Sequence, residues 1–193
     1  MDIDNLENSY LRRKELIEEM DRLGKEKISC ASCTGRCCTS FANSMQCTPL
    51  EALEIVKWLQ SKNGLTAHLE GLVRQCIEDY RLNYEIPTSR GVPFRRTYTC
   101  PFFNHGPLGC LLAPEIKPYG CLGFNPTSKD VTDGENCKSS FNLLEKRDEL
   151  WSSSEADQIK QIKKELGLSW EKLPMPVALI DVMERLDIKW DQV

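Results

Sequence analysis

The sequence predicts a mainly α protein: a small helical domain around an irregular, cysteine-ligated metal-binding core rich in glycine and proline. Three observations predict it: helical periodicity toward both ends of the 193-residue chain, no such periodicity in the middle, and ten cysteines. Glycine and proline supply nine of the 27 residues from Cys100 to Pro126, which rules out a long helix there. Metal ligation can order such a stretch, because it ties the loop at several points.

Composition favours a single domain that folds in water. Hydrophobic residues make up 40% of the chain and charged residues 28%, and the net charge of −4 gives no reason to expect nucleic-acid binding. The N-terminal 27 residues carry charges throughout and contain no apolar signal segment. No apolar run approaches the roughly 18 residues of a membrane span. We therefore expect a cytoplasmic protein, and in that compartment clustered cysteines bind metal more often than they pair.

The chain divides into three predicted parts. Residues 1–27 form an N-terminal amphipathic helix, residues 28–140 a cysteine-cluster metal-binding domain, and residues 141–193 a C-terminal helical extension packed on it. The N-terminal helix is expected to be exposed, with Arg13 interrupting its apolar stripe. That stripe consists of Ile3, Leu6, Tyr10, Ile17 and Met20. Two arrangements stay open for this helix: packing on the domain, or a short coiled-coil arm that joins a protein partner or a second copy.

Two helices are predicted between the cysteine motifs. Thr48 and Glu51 have the spacing of a capping box, and Pro49 suits the first helical position. The apolar face of that helix consists of Leu50, Leu53, Val56 and Leu59, and its stop signal is Asn63-Gly64. The second helix is expected over residues 66–84, with its apolar stripe at Leu69, Leu72, Val73, Cys76, Ile77 and Tyr80. Cys47 and Cys76 are interpreted as structural, since a free cysteine packs as a small hydrophobe. Residues 94–99 are expected to form a short strand.

Three helices are predicted in the C-terminal third. The first covers residues 140–151, and a capping box of Ser152 and Glu155 opens the second, which Gly167 closes after Leu166. The last covers residues 177–190, after the chain breaks at Pro174 and Pro176.

The run from Cys30 to Cys38, CASCTGRCC, has the spacing C-x2-C-x3-C-C. Disulfide pairing within it is hard to draw, because Cys37 and Cys38 are adjacent, whereas C-x2-C lets two sulfurs converge on one metal from a tight turn. Gly35 is expected where the chain bends at positive φ, and Arg36 places a positive charge beside the thiolates. Eight cysteines form the predicted ligand set: Cys30, Cys33, Cys37, Cys38, Cys100, Cys110, Cys121 and Cys137.

Eight soft sulfur ligands suit two alternatives. They fit two tetrahedral zinc sites, or one iron–sulfur cluster (a [4Fe-4S] cluster is one form) with a further site or redox thiols. Adjacent side chains point apart, so Cys37 and Cys38 are expected to serve two irons of one cluster, or two different sites. His105, between two of the cysteines, is a candidate for an additional ligand.

The order of the motifs resembles a known family. CASCTGRCC is followed by TPLE, then by CPFF leading to GC, and then by KPYGC. This order is similar to that of the cysteine-cluster proteins with a zinc- or iron-chelating domain of the CxxCxxCC type, which are related to the cysteine-rich part of flagellin lysine N-methylases. The match covers residues 30–137 and implies the same eight cysteines. Lys117 and Leu122 stand where the family has arginine, which puts in doubt any role of those arginines beside sulfur or an anion.

The sequence is compatible with three functions to different degrees. The first is a metal-binding module with a structural or redox role. The second, implied by the resemblance, is an iron–sulfur enzyme that methylates protein lysine. Against it, the sequence has no S-adenosylmethionine-binding glycine motif, and only two histidines offer a base. The third is a thiol–disulfide oxidoreductase using Cys30 and Cys33, but the βαβ context of such enzymes is missing.

Overall fold

The structure is a computed structural model that describes residues 7–28, 35–84, 95–104, 109–129 and 137–191. The helices of this part are α1 (Glu7–Lys25), α2 (Pro49–Ser61), α3 (Ala67–Asp79), α4 (Tyr119–Leu122), α5 (Phe141–Leu166) and α6 (Met175–Arg185). The strands are β1 (Gln46–Cys47), β2 (Phe124–Pro126), β3 (Cys137–Ser139) and β4 (Leu173–Pro174). Single 3-10 turns cover Arg36–Cys38 and Pro114–Ile116. The prediction of a mainly α fold is confirmed.

The hydrophobic core lies chiefly between α2 and α6, with α3 packed beside them. The predicted apolar face of α2 is confirmed, because Leu50, Leu53, Val56 and Leu59 are all buried. α6 supplies Ala178, Leu179, Val182 and Met183 to the same core. Most of these side chains repeat every three or four residues, as a helix with one buried face requires.

The N-terminus of α2 has the predicted capping box. The Glu51 N–H donates to the Thr48 hydroxyl oxygen at 3.2 Å, and the Thr48 N–H donates to Glu51 Oε2 at 2.9 Å. Pro49 occupies the first turn, as predicted. These local contacts fix the direction in which the chain enters α2 from the cysteine motifs.

Two antiparallel strand pairs close the described part of the fold. β1 pairs with β4, which brings the start of α6 beside the start of α2. β2 pairs with β3 and thereby connects α4 to the start of α5. Both pairs are too short to act as sheets in their own right, so they serve as ties between helices.

The N-terminal helix packs on the domain, which is one of the two arrangements that the sequence left open, and its outer side is exposed. The inward side of α1 carries Ser9, Arg12, Arg13 and Leu16, and Arg13 is 0% exposed. Tyr10, which was assigned to the apolar stripe, is 46% exposed. Ile3 and Leu6 lie outside the described residues. The stripe was misplaced because α1 packs against the chain through ion pairs as well as through apolar side chains.

The C-terminal third contains one long helix where two were predicted. α5 continues from Phe141 to Leu166 without a break at Ser152. Glu155 does not cap a helix, because its side chain is buried and bound by Arg147 and Tyr119. The predicted end of the helix is correct, with Gly167 in the left-handed conformation at φ 64°.

Three smaller expectations also differ. α3 ends at Asp79 rather than near residue 84, and Leu72 on its predicted stripe is 41% exposed. Residues 95–99 form no strand in the described chain, and Phe94 lies outside it. α6 begins at Met175, with Pro176 inside its first turn, where a missing N–H costs nothing.

Within the described residues, none of the helices combines the length and the apolar character that a bilayer crossing requires. The prediction of no membrane span agrees with this finding.

Candidate metal centre

Five of the predicted cysteine ligands line a single cavity. The cavity has a volume of about 1280 Å³ and lies among α1, the start of α2, α4 and α5. The cysteines that line it are Cys37, Cys38, Cys100, Cys110 and Cys121. They come from three separate segments of the chain, so the fold itself gathers them.

The first segment is the end of the cysteine run. Gly35 has φ 70°, as predicted, and the 3-10 turn of Arg36–Cys38 follows it. A Cβ atom at Gly35 would overlap the ring of Phe103, so the chain passes closer to that ring than any larger residue permits. This close approach places Cys37 and Cys38 beside the loop that carries the next two cysteines.

The second segment runs from Cys100 to Cys110, and residues 105–108 within it lie outside the described part of the chain. The Cys100 N–H donates to the Cys38 carbonyl oxygen at 2.8 Å, which joins the loop to the cysteine run. Phe103 forms an antiparallel bridge with Cys110, and the Leu111 N–H donates to the Phe102 carbonyl oxygen at 2.9 Å. The bridge holds the two ends of the loop together, so Cys100 and Cys110 reach the same cavity.

The third segment is the single helical turn α4. Its N–H groups at Cys121 and Leu122 donate to the Pro118 carbonyl oxygen at 2.9 and 3.2 Å. Cys121 is exposed and lines the cavity. Its thiol is therefore reachable by an ion that enters the cavity.

The thiols influence one another electrostatically. Burial raises the pKa of Cys100, and negative charge at Cys121 and Cys110 raises it further. Burial and the charge at Cys110 likewise raise the pKa of Cys121. The pKa of Cys37 is raised first by its hydrogen bond with Cys38. Without a cation between them these thiols stay protonated at neutral pH, because neighbouring thiolates repel each other.

Lys117 stands at the position where the resemblance to the cysteine-cluster proteins would place an arginine. Its positive charge acts on Cys121 and on Cys37 in the direction that lowers their pKa values, against the larger effects of burial and of the neighbouring thiols. The residue also lines the cavity. The departure from arginine therefore leaves a positive charge beside the sulfurs.

The remaining cysteines lie elsewhere. Cys137 is on β3 opposite Pro126 and is not among the residues lining the cavity. Cys47 and Cys76 are buried in the hydrophobic interior, and the Cys76 thiol donates to the Thr99 carbonyl oxygen at 3.3 Å. Their assignment as packing residues agrees with this burial. Cys30, Cys33 and His105 lie outside the described residues.

In the part of the chain that the structure describes, no three His, Cys, Asp or Glu side chains stand in metal-ligand geometry. The thiols of Cys37, Cys38, Cys100, Cys110 and Cys121 form no disulfide. The segments that carry them are thus close together, while their side chains are not arranged around a common point.

Part of the cavity lining is largely charged, which the sequence did not suggest. We call the side chains that form it the charged wall: Glu51, Tyr119, Arg147, Asp148 and Glu155. Asp148 is exposed, whereas Glu51, Arg147 and Glu155 are less than a tenth exposed. The sequence analysis noted Glu51 and Glu155 as members of capping patterns, which accounted for helix ends and not for a cavity.

Buried ion pairs connect the charged wall to α1. Arg12 and Arg13 both bind the carboxylate of Glu54, and the Arg13 contact measures 2.7 Å. Arg12 also lies 3.5 Å from Glu155 on α5, which in turn binds Arg147. The pairs join α1, α2 and α5, and each carboxylate faces two guanidinium groups. Desolvation of such charges is tolerated only because they are paired.

Comparisons with known proteins add no family. No family model matches the chain, and neither a curated protein nor a solved structure matches it. The resemblance to the cysteine-cluster proteins therefore stays a prediction that depends on the four motifs.

Proposed function

We propose that this protein binds an iron–sulfur cluster or zinc through its clustered cysteines, and that the bound metal has a structural or redox role. One observation carries the proposal: Cys37, Cys38, Cys100, Cys110 and Cys121 line one cavity although they come from three segments. Cys30 and Cys33 belong to the same predicted set and precede Cys37 by only a few residues in the sequence.

The chemistry of the donors supports a soft metal. Thiolate sulfur selects zinc, copper(I) and iron–sulfur clusters over hard cations such as magnesium. The raised pKa values of Cys100 and Cys121 reflect burial and repulsion between neighbouring thiolates. A cation that binds between the thiolates offsets both effects and favours the ionised sulfurs. Metal binding would draw the side chains together and order the glycine- and proline-rich middle of the chain.

An iron–sulfur cluster fits the adjacent pair better than a single zinc ion. Cys37 and Cys38 contact each other at the edge of the cavity, and a polynuclear cluster offers two separate metal atoms to two neighbouring sulfurs. A mononuclear zinc ion instead requires four sulfurs at the corners of one tetrahedron.

Purification without oxygen tests the proposal. The iron, acid-labile sulfide and zinc contents are measured together with the visible absorption spectrum. A brown protein with equal iron and sulfide supports the cluster, and a colourless protein with stoichiometric zinc supports the zinc site. A protein with neither metal contradicts the proposal.

A matched pair of variants assigns the ligands. Cys100→Ser should lower the metal content, because Cys100 lines the cavity. Cys76→Ser should leave it unchanged, because Cys76 is buried outside the cavity lining and serine preserves the hydrogen bond to Thr99. Equal metal content in the two variants contradicts the assignment.

A second candidate is an iron–sulfur enzyme, by resemblance a protein methyltransferase. The cavity favours it, since its volume of about 1280 Å³ exceeds the needs of a metal ion alone. Its charged wall also supplies the buried carboxylates that the sequence alone did not indicate. Binding of S-adenosylmethionine by the metal-loaded protein, measured calorimetrically, supports this candidate, and no binding rejects it.

A further inference from the structure

We infer that Tyr119 is a positioning residue: a clamp of Arg13, Arg147 and Glu51 fixes it, and it in turn fixes the Cys121 thiol at the cavity. The inference deepens the proposed function and rests on it for the role of Cys121. It concerns a side chain outside the predicted set of cysteine ligands.

The helical turn that carries Cys121 cannot hold its position unaided. α4 is only four residues long, and a helix of one turn is unstable alone, because nucleation fixes several dihedral angles for one hydrogen bond. Pro118 and Gly123 flank it, so neither neighbour extends the helix. An external anchor is therefore required to keep Cys121 in one place.

The Tyr119 ring supplies the first anchor. The guanidinium carbon of Arg147 lies 3.4 Å from the ring centroid and that of Arg13 lies 4.5 Å from it. The Tyr119 hydroxyl donates to Glu155 Oε1 at 2.5 Å. The ring is thus held by side chains from α1 and α5, and cation–π contacts of this kind strengthen when they are shielded from water.

The main chain supplies the second anchor. The Tyr119 N–H donates to Glu51 Oε1 at 3.1 Å, while the other oxygen of the same carboxylate caps α2. Two residues before α4 begins, the Lys117 carbonyl oxygen accepts a hydrogen bond of 2.7 Å from Arg13 Nε. The Glu51 carboxylate therefore binds backbone N–H groups at the N-termini of both α2 and α4. Arg13, which contacts the Tyr119 ring, also binds the backbone just before α4.

The third contact lies at Gly120, between Tyr119 and Cys121. A Cβ atom at Gly120 would lie 2.8 Å from Cε of Met45, so the backbone of α4 packs directly on that side chain. Held on both sides, α4 has little freedom to rotate. The direction of the Cys121 thiol is then set by Tyr119, two residues earlier, acting through the main chain.

The test compares Tyr119→Ala, Tyr119→Phe and a control, Leu59→Ala. Leu59 is buried but does not line the cavity, so its truncation lowers the melting temperature without touching α4. Three measurements are made: zinc affinity by chelator competition, the alkylation rate of Cys121 in the metal-free protein by mass spectrometry, and hydrogen exchange over residues 119–122. Substitution of a residue that orients a metal ligand typically costs about 10–100-fold in metal affinity.

We expect Tyr119→Ala to lose zinc affinity in that range, alkylate faster at Cys121 and exchange faster over α4. Tyr119→Phe keeps the ring between the arginines and should retain wild-type affinity. Unchanged affinity and alkylation in Tyr119→Ala, an equal loss in Leu59→Ala, or an equal loss in Tyr119→Phe would each overturn the inference. If the wild-type protein binds no zinc or cluster, the proposed function fails separately, and alkylation and hydrogen exchange still decide whether Tyr119 holds α4.

Discussion

The main-chain N–H of Cys100 donates a 2.8 Å hydrogen bond to the carbonyl oxygen of Cys38. The bond joins the cysteine run to the loop that ends at Cys110. Because it uses backbone atoms only, it leaves both thiols available and does not require metal. The cysteine segments are therefore brought together by the fold itself, which would lower the ordering cost of the proposed metal binding.

Gly35→Ala should lower the free energy of unfolding by about 2 kcal/mol or more. The reason is that alanine is strained at the left-handed φ of this position and its Cβ would overlap the Phe103 ring. Gly24→Ala is the matched control, since Gly24 lies in α1 with no atom within 4 Å of an added Cβ. Alanine there should stabilise the protein by about 0.5–1 kcal/mol. Urea unfolding measures both changes, and a neutral Gly35→Ala would contradict the close approach to Phe103.

Glu54→Gln should cost about 3–5 kcal/mol of stability, because it leaves the buried guanidinium groups of Arg12 and Arg13 without their shared carboxylate. The control is Glu70→Gln, which removes the partner of Arg74 at the surface of α3 and should change stability by about 0.5 kcal/mol or less. Chemical denaturation compares the two. Similar values for both would mean that the buried pairs contribute little.

The metal-free protein should lose stability above about pH 8.5, the ordinary pKa of a cysteine. Burial raises the pKa of Cys76 to about 12, so above the ordinary value the unfolded chain has released this proton while the folded chain keeps it. The unfolded state then binds fewer protons, and the free energy of unfolding falls as pH rises, by about 1.4 kcal/mol per pH unit for one thiol.

Urea unfolding between pH 7 and 10.5, with chelator and reductant present, measures this slope. Cys76→Ser should reduce the slope of the unfolding free energy against pH by the contribution of one thiol, because serine does not titrate in that range. A Cys76→Ser slope equal to that of the wild-type protein would show that the thiol ionises as readily in the folded chain as in the unfolded one.

Local signals predicted part of the fold. The capping box at Thr48 and Glu51 and the end of α5 at Gly167 were correct because each depends on neighbouring residues. The break at Ser152 was wrong because Glu155 binds Arg147 and Tyr119 instead of the helix end. The inward side of α1 was misplaced because the partner of Arg13 lies on α2. No local pattern carries such long-range pairing.

The candidate site was likewise predictable only in part from the sequence. Cysteine spacing pointed to Cys37, Cys38, Cys100, Cys110 and Cys121, which line one cavity, because cysteine identity itself carries the chemistry. The charged wall escaped prediction, since arginine and glutamate on a helix usually face water. Only the packing of α1 against α5 shows that these charges are buried.

Cys33→Ser should also reduce metal content, because Cys33 belongs to the C-x2-C pair of the cysteine run. Cys47→Ala serves as the control, since Cys47 is fully buried in the hydrophobic core and does not line the cavity. Metal analysis of the purified variants compares them. A larger loss in Cys47→Ala than in Cys33→Ser would show that the ligand set is wrong.

X-ray absorption at the edge of the bound metal tests the central claim most directly, because it counts the atoms around the metal by element. The account predicts a first shell dominated by sulfur at about 2.3 Å, with fewer sulfur neighbours in Cys100→Ser. A shell of oxygen and nitrogen, or a sulfur shell that Cys100→Ser leaves unchanged, would contradict it.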